Sequence, residues 1–161
     1  MSAASTTLTP LRLALIVEGD NALADLCTLF LEAMGIVAWR AASLKVAHEA
    51  MKDSPFDFVL LDLNLPDSIG TAALKSLLAA CPDARIVVIS KLCSDAIVRE
   101  CIAAGALAFV CKDCNLKDQI EKAVDMVVKR VQANGRREKF EEIVQEAKED
   151  VRQVQELKRM M

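Results

Sequence analysis

Five short apolar runs alternate along the chain with segments in which apolar residues recur at every third or fourth position. The runs occupy residues 13–17, 36–39, 58–61, 86–89 and 107–111, and the amphipathic segments occupy residues 21–34, 44–52, 71–81, 95–104 and 116–131. A run that is apolar throughout is typical of a strand covered on both faces, as in a parallel sheet. The alternation predicts an α/β protein of (βα)5 order, folded as a doubly wound five-stranded parallel sheet with right-handed crossovers.

Residues at the ends of the amphipathic segments support these helix boundaries. Ser43, Ser94 and Asn115 stand where a side chain can cap the amino terminus of a helix. Gly35 and Gly105 follow helical segments, where glycine is favoured because it readily adopts the left-handed conformation. The sequence therefore predicts helices that begin and end close to the limits set by the apolar pattern.

The composition limits the classes of function. With 53% hydrophobic residues among 161, the chain can bury the core of one domain. A net charge of −3, 4% aromatic residues and no Tyr offer neither the positive charge nor the stacking surface of a nucleic-acid-binding protein. Residues 1–10 form a polar tail unlike a signal peptide, and no stretch approaches the ~18 apolar residues of a membrane span. We therefore expect a cytoplasmic protein that binds neither nucleic acid nor membrane.

Six cysteines lie within the apolar segments or beside them, at positions 27, 81, 93, 101, 111 and 114. Because the chain has an adequate core, we expect free thiols that pack as small hydrophobic side chains, not a disulfide framework. Cys111 and Cys114 have the C-x-x-C spacing of redox and zinc sites, but redox motifs usually open a helix and a zinc site needs two further ligands. The single histidine, His48, is expected to be solvated or half-buried.

A polar or ionisable residue stands at the end of each strong apolar run. Glu18 follows the first, Asp62 the third, Ser90 the fourth and Lys112 the fifth. The carboxyl ends of parallel strands share one edge of a doubly wound sheet, and ligands bind at that edge. We therefore expect these four side chains to form one site.

The chemistry that fits these residues is phosphoryl transfer onto a carboxylate. Asp62 would be the nucleophile that forms an aspartyl phosphate. Such transfer depends on positioning and on neutralising negative charge, which Mg²⁺, the Lys112 ammonium and the Ser90 hydroxyl would supply. Glu18, together with Asp20, would help to hold the metal.

Residues 11–133 resemble the receiver domain of two-component response regulators. The matching stretches, in the order of the family, are Leu-Ile-Val-Glu-Gly-Asp at 15–20, Leu-Leu-Asp-Leu-Asn-Leu-Pro-Asp at 60–67 with Gly70, Val-Val-Ile-Ser at 87–90, and Ala-Gly-Ala-Leu-Ala-Phe-Val-Cys-Lys at 104–112. The resemblance implies a flavodoxin-like, CheY-like receiver fold. It also implies that the protein is a two-state switch biased by phosphorylation.

The resemblance assigns roles residue by residue. Asp62 is the phosphoacceptor, and the main-chain carbonyl of Asn64 is a Mg²⁺ ligand. Ser90 is the switch hydroxyl that turns toward the phosphoryl group, and Lys112 is the ion-pair partner of that group. Phe109 is the aromatic residue that changes rotamer together with Ser90.

The chain departs from the family at Gly19. Receivers usually carry two adjacent acidic residues after the first strand, the second being a direct metal ligand, whereas this chain has Glu18-Gly19. The missing carboxylate predicts weakened Mg²⁺ binding, for which Asp20 is a candidate replacement. Asp113, where many receivers have proline, is a minor departure.

Residues 134–161 differ in character from the receiver-like region. Between 136 and 161, seven basic and seven acidic residues surround a sparse apolar stripe, which consists of Phe140, Val144, Ala147, Val151, Val154 and Met161. The spacings are four, three, four, three and then seven residues, with Lys158 in the skipped position, as in a coiled-coil seam. They predict a charged amphipathic helix that pairs two copies of the chain, and the alternatives are a solvated, frayed helix or a linker. Asn134-Gly135 predicts a break or kink before it.

Three functions follow from these features. The first is a receiver that accepts a phosphoryl group from a histidine kinase or phosphotransfer protein and then controls a partner protein or its own C-terminal helix. The second is a pseudo-receiver, a phosphorylation-independent interaction or dimerisation module, which Gly19 suggests. An enzyme of the haloacid-dehalogenase type is disfavoured, because its Asp-x-Asp motif follows the first strand, whereas Asp62-Leu63-Asn64 follows the third and lacks the second acid.

Overall fold

A computed structural model of the chain describes residues 11–161, so the predicted polar tail, residues 1–10, lies outside the described residues. The strands are β1 (Leu13–Val17), β2 (Val37–Ala41), β3 (Phe58–Asp62), β4 (Asn64–Leu65), β5 (Ser68–Ile69), β6 (Ile86–Ser90) and β7 (Ala108–Cys111). The helices are α1 (Asn21–Ala33), α2 (Leu44–Asp53), α3 (Ala72–Ala80), α4 (Asp95–Ala104) and α5 (Leu116–Met160).

The main sheet has the predicted five parallel strands, in the order β2-β1-β3-β6-β7. Every residue of β3 and β6 is buried, as continuous apolar runs require when helices cover both faces of a sheet. The helices contribute buried side chains such as Leu31, Leu74 and Leu77, each of which stabilises the fold by about 1.5–3 kcal/mol. The predicted α/β doubly wound fold is therefore confirmed.

Four residues predicted to begin or end helices have the expected geometry. Ser43 Oγ accepts a hydrogen bond from Val46 N (3.2 Å), and Ser94 Oγ accepts one from Ile97 N (3.3 Å). Gly35 and Gly105 both have positive φ, at 81° and 114°. At these two positions a residue other than glycine would be strained.

A small antiparallel pair, β4 with β5, interrupts the connection between β3 and α3. The loop that joins the two strands carries Asp67, whose carboxylate accepts hydrogen bonds from the main-chain N–H groups of Leu44 (2.8 Å) and Lys45 (3.0 Å). These bonds lower the pKa of Asp67 and satisfy two donors at the start of α2. The hairpin thereby ties the loop after β3 to the amino terminus of α2.

The side chain of Gln119 joins α5 to the end of β7. Its Oε1 accepts a hydrogen bond from Cys111 N (2.8 Å), and its Nε2 donates to Cys111 O (2.9 Å) and to the carbonyl of Cys114. Further along α5, the buried side chains are Ile120, Ala123, Val124 and Val127, at the spacing of one helical face. This face is the buried side of the first part of α5.

The chain forms two compact units, defined by the contacts within each, and the boundary lies between Val128 and Lys129. Asn134 and Gly135 lie inside helix α5, so the break predicted there is absent. A glycine within a helix costs only about 1 kcal/mol relative to alanine, which strong helix formers on both sides offset. The division predicted between residues 133 and 134 stays a prediction.

Two of the six cysteines form a disulfide. Cys93, in the loop after β6, is bonded to Cys111 at the end of β7, with a Cα–Cα distance of 5.8 Å. The expectation of free thiols was therefore wrong for this pair, because strand register brings together residues that are 18 apart in the sequence. Cys27 and Cys101 are buried free thiols as expected, whereas Cys114 is exposed.

None of the helices in residues 11–161 is both long and apolar enough to cross a membrane.

Candidate phosphoacceptor site

Four strand ends bring their polar side chains into one cavity of about 730 Å³. Glu18 follows β1, Asp62 ends β3, Ser90 ends β6 and Lys112 follows β7. Glu18, Asp62 and Ser90 are each at most 5% exposed, so their polar groups must find partners inside the protein. The cavity lies at the carboxyl edge of the sheet, where the sequence predicted a site.

Lys112 connects the two carboxylates. Its Nζ lies 2.8 Å from Asp62 Oδ2 and 3.0 Å from Glu18 Oε2, and its side chain is only 7% exposed. Burial by itself would lower the pKa of Lys112, but the hydrogen bonds and charges of Asp62 and Glu18 outweigh it and raise that pKa. Lys112 is therefore a fixed positive charge beside the Asp62 carboxylate.

Glu18 carries the least satisfied charge of the group. Its Oε1 accepts a hydrogen bond from Asp20 N (3.1 Å), whereas its buried Oε2 has the Lys112 ion pair but no well-oriented hydrogen bond. Burial, and then the neighbouring Asp62 carboxyl group, raise the pKa of Glu18 to about 7. One ammonium cannot balance two buried carboxylates, so Glu18 readily takes up a proton or another cation.

The side chains of Asp62 and Ser90 each accept a hydrogen bond from the main-chain N–H group two residues further along the chain. Asp62 Oδ1 accepts from Asn64 N (3.0 Å), and Ser90 Oγ accepts from Leu92 N (3.0 Å). Asn64 and Leu92 also line the cavity, and Leu92 is 73% exposed. Phe109 lies away from the cavity lining, half-buried against the core.

Asp20 lines the cavity, but its carboxylate is engaged at the start of α1. Its Oδ1 accepts hydrogen bonds from Ala22 N (2.9 Å) and Leu23 N (3.3 Å), which makes Asp20 the N-cap of that helix. Within residues 11–161 no group of three or more acidic, histidine or cysteine side chains is placed to hold a metal. The role of Asp20 as a metal ligand stays a prediction.

The donor set nevertheless fits a magnesium ion. Mg²⁺ in proteins is commonly held by one or two carboxylates together with water and a phosphate group. Glu18 and Asp62 supply two carboxylates in the same cavity, and Glu18 Oε2 is a buried acceptor without a hydrogen bond. Asn64 lies beside them as the predicted source of a carbonyl ligand.

The Cys93–Cys111 disulfide lies beside this site and was not anticipated. Cys111 directly precedes Lys112, and Cys93 follows Ser90 by three residues. Neither residue carries a local signal for pairing. Only the match of β6 to β7, in which Ser90 pairs with Cys111, brings the two cysteines together.

Two curated proteins resemble part of the chain. The chemotaxis protein CheY of Thermotoga maritima is 36% identical over 76 residues, which are 47% of this chain and 63% of CheY. The DNA-binding transcriptional activator DevR/DosR of Mycobacterium tuberculosis is 32% identical over 77 residues, 48% of this chain and 36% of the activator. The chain thus spans less than two thirds of the length of each of these relatives.

Solved receiver structures resemble the fold. A CheY-like receiver domain protein from Methanospirillum hungatei is 26% identical with a TM-score of 0.68, and the match covers 76% of this chain and 98% of that one. A response regulator from Burkholderia pseudomallei, solved with a phosphorylated aspartic acid, calcium ion and citrate, is 25% identical with a TM-score of 0.64 over 77% of this chain and 72% of that one.

A third match is a chain of the CheX-CheY-BeF3-Mg²⁺ complex from Borrelia burgdorferi. That chain is 25% identical with a TM-score of 0.65, and the match covers 70% of this chain and 86% of that one. Residues 14–134 match the family described as the response regulator receiver domain. This match covers well over half of the chain. The chain therefore belongs to the response regulator receiver domain family.

Proposed function

We propose that this protein is a phosphoacceptor receiver in which Asp62 takes a phosphoryl group from a histidine kinase or a phosphotransfer protein. The observation that carries the proposal is the contact of Lys112 Nζ with Asp62 Oδ2 at 2.8 Å, inside a cavity that Glu18 and Ser90 also line. A buried carboxylate held by one cation at a sheet edge is poised to accept an anionic group.

In the proposed step a carboxylate oxygen of Asp62 attacks phosphorus. The new P–O bond forms as the P–N bond to the donor histidine breaks, and the electron pair of that bond stays on the imidazole. Lys112 would offset the charge of the transferring group, because its ammonium already lies within the site. Ser90 Oγ would exchange its contact with Leu92 N for one with a phosphoryl oxygen.

Mg²⁺ is the cofactor of the proposal, with Glu18, Asp62 and the Asn64 carbonyl as ligands. When bound, it would neutralise charge on the phosphoryl oxygens. The site offers one carboxylate fewer than most receivers, because Gly19 stands where they have an acidic residue. We therefore propose that it binds Mg²⁺ weakly. The raised pKa of Glu18 adds a competition between proton and metal for the same carboxyl group.

The protein is proposed to be a switch and not an enzyme, with at most hydrolysis of its own aspartyl phosphate. It would act in the cytoplasm, and phosphorylation would alter its contacts with a partner protein or the state of its C-terminal helix. Phe109 would change rotamer together with Ser90. Phosphorylation would shift the population between two conformations of the protein, which requires the phosphorylated site to be more stable in one of them.

The C-terminal helix is proposed to pair with a second copy of the chain. Within residues 129–161, Phe140, Val151 and Val154 are each at least 51% exposed. An apolar stripe at coiled-coil spacing gains stability when a second helix covers it. The flanking residues carry balanced charge, including an Arg152–Glu149 ion pair at 3.4 Å, which is compatible with a pairing surface in water.

Intact mass spectrometry tests phosphorylation. The full chain is incubated with acetyl phosphate and MgCl2, and we expect the mass of one phosphoryl group to be added. Asp62→Asn should abolish this gain. Asp113→Asn, the same change at an exposed carboxylate next to Lys112, should leave it intact. A gain that persists in Asp62→Asn would place the phosphoryl group elsewhere.

The second candidate is the pseudo-receiver. It is favoured by one observation: Lys112 Nζ contacts both buried carboxylates, Asp62 Oδ2 at 2.8 Å and Glu18 Oε2 at 3.0 Å, so that a side chain of the protein already pairs with both acids of the site. A receiver of this kind would keep the fold and the proposed helix pairing but accept no phosphate. An unchanged mass for wild type in the acetyl phosphate experiment, with a folded protein and saturating Mg²⁺, would select this function over the first.

A further inference from the structure

The disulfide ties the loop that follows Ser90 back to the strand that pairs with Ser90. Ser90 pairs with Cys111 across β6 and β7, and Lys112 N donates a hydrogen bond to Ser90 O (2.9 Å). The chain leaves Ser90, passes Lys91 and Leu92, and returns at Cys93 to the partner strand through the bond to Cys111. The loop after β6 is thus held at both of its ends.

Both cysteines lie close in the chain to residues of the site. Cys93 Sγ is 3.3 Å from Ser90 O, so the disulfide sulfur lies against the main chain of the residue that carries the switch hydroxyl. Cys111 is adjacent in sequence to Lys112, whose ammonium contacts Asp62. A bond between the two cysteines therefore restrains the surroundings of Ser90 and of Lys112 at once.

Cys93 and Cys111 are only partly buried, in contrast to the buried free thiols Cys27 and Cys101. Disulfides that solvent reaches exchange with small thiols, whereas enclosed ones resist reduction. In the cytoplasm, where the proposed function places the protein, disulfides are usually transient and sense the redox state. The position and exposure of this pair match a reversible modification better than a permanent brace.

We propose that Cys93 and Cys111 form a reversible redox modification site that controls phosphorylation of Asp62. The proposal rests on the phosphoacceptor function proposed above. In the oxidised state the loop 91–93 is pinned to β7, and the Ser90 hydroxyl is retained by Leu92 N. In the reduced state the loop is free to move, so Ser90 can reach a phosphoryl group on Asp62.

The oxidant is a peroxide. One cysteine thiolate attacks a peroxide oxygen, the O–O bond breaks, and the products are a sulfenic acid and water or an alcohol. The second thiolate attacks the sulfenic sulfur, the S–S bond forms, and the hydroxide that leaves takes a proton to become water. The two thiols together lose two electrons and two protons, which the peroxide accepts. A dithiol reverses the reaction and is itself oxidised to a disulfide.

The experiment follows both the thiols and the phosphoryl group. The full chain is prepared after treatment with dithiothreitol and, separately, with hydrogen peroxide, and alkylation with mass mapping counts the free thiols at positions 93 and 111. Each sample then receives acetyl phosphate and MgCl2, and intact mass gives the rate of phosphorylation. The variants are Cys93→Ser and Cys111→Ser, with Cys114→Ser as a matched control at an exposed free cysteine.

We expect the reduced protein to be phosphorylated about tenfold faster than the oxidised protein, a typical size for coupling between two sites. Cys93→Ser and Cys111→Ser should be fast in both samples, and Cys114→Ser should respond as wild type does. If one cysteine variant does not fold, the other together with the thiol map still gives the comparison.

Equal rates in the two wild-type samples, or a faster oxidised sample, would overturn the redox proposal while leaving the phosphoacceptor function in place. A disulfide that the folded protein neither opens with dithiothreitol nor reforms with peroxide would overturn it as well. No phosphorylation in any sample would instead contradict the phosphoacceptor function, and with it the control proposed here.

Discussion

Gly19 lies against the ring of Pro66, so that a Cβ at position 19 would stand 3.3 Å from Pro66 Cδ and 3.5 Å from the carbonyl oxygen of Ala42. This is a tight but not prohibitive contact, and Gly19 does not have the positive φ that would exclude a side chain. The missing acidic residue can therefore be restored if Pro66 shifts by a few tenths of an ångström. A side chain at position 19 would therefore press on Pro66, which lies in the loop between β4 and β5.

Gly19→Asp should increase the affinity for Mg²⁺ by roughly tenfold, because a third carboxylate adds charge to the ligand set. Isothermal titration calorimetry with MgCl2 measures the effect. Gly19→Asn has nearly the same shape without the charge and serves as the control. An equal gain in both variants would assign the effect to loop packing instead of ligation.

The stability of the metal-free protein should fall as pH rises from about 4.5 to 7. Glu18 has a pKa of about 7 in the folded protein and 4.5 as the reference value, so within this window the folded state binds a proton that the unfolded chain has released. The loss should be complete above pH 7 and amount to roughly 2–4 kcal/mol in the free energy of unfolding.

Urea denaturation in the presence of a chelator, repeated across this pH range, measures the loss. Glu18→Gln removes the titrating group and should flatten the profile between pH 4.5 and 7. Glu49→Gln, at an exposed glutamate on α2, is the matched control and should retain the slope. A Glu18→Gln profile as steep as that of wild type would refute the assignment to Glu18.

Leu92→Ala should shorten the lifetime of the aspartyl phosphate severalfold. Leu92 lines the cavity two residues beyond Ser90, and we expect its apolar side chain to hinder the approach of an attacking water molecule. Phosphorylated protein is freed of acetyl phosphate and followed by intact mass. Leu29→Ala, at an exposed leucine on α1 away from the cavity, is the control. A wild type that loses phosphate faster than Leu92→Ala would reverse the interpretation.

Val151→Asp should convert a dimer of the full chain to monomer. Val151 lies on the apolar stripe and is 56% exposed, and burying a valine contributes about 1.5–3 kcal/mol that an aspartate would forfeit in each copy. Light scattering after size exclusion gives the mass. Gln153→Asp introduces the same charge beside the stripe and should keep the dimer. A monomeric wild type would remove the proposed pairing altogether.

The sequence predicted the sheet and the four strand ends because both follow from local patterns. An apolar run of five residues identifies a strand, and parallel strands bring Glu18, Asp62, Ser90 and Lys112 to one edge without further information. The β4–β5 pair has only two residues in each strand, too few for a periodic signal.

Contacts that depend on tertiary arrangement were not predictable in this way. Cys93 and Cys111 meet through strand register, and the Asp67 carboxylate reaches the start of α2 through the fold of a distant loop. At Asn134-Gly135 the local pattern itself was wrong. It predicted a break, but the helix-forming residues on both sides keep α5 continuous. Local patterns thus located the site but not the restraints on it.

The pairing of Gln119 with both main-chain groups of Cys111 has a consequence for assembly. β7 is the last strand of the sheet, and the outward N–H and C=O of such a strand can template a strand from another molecule. At Cys111 the side-chain amide of Gln119 occupies both groups, as a neighbouring strand would. An incoming strand would first have to displace this amide, at the same residue that forms the disulfide with Cys93.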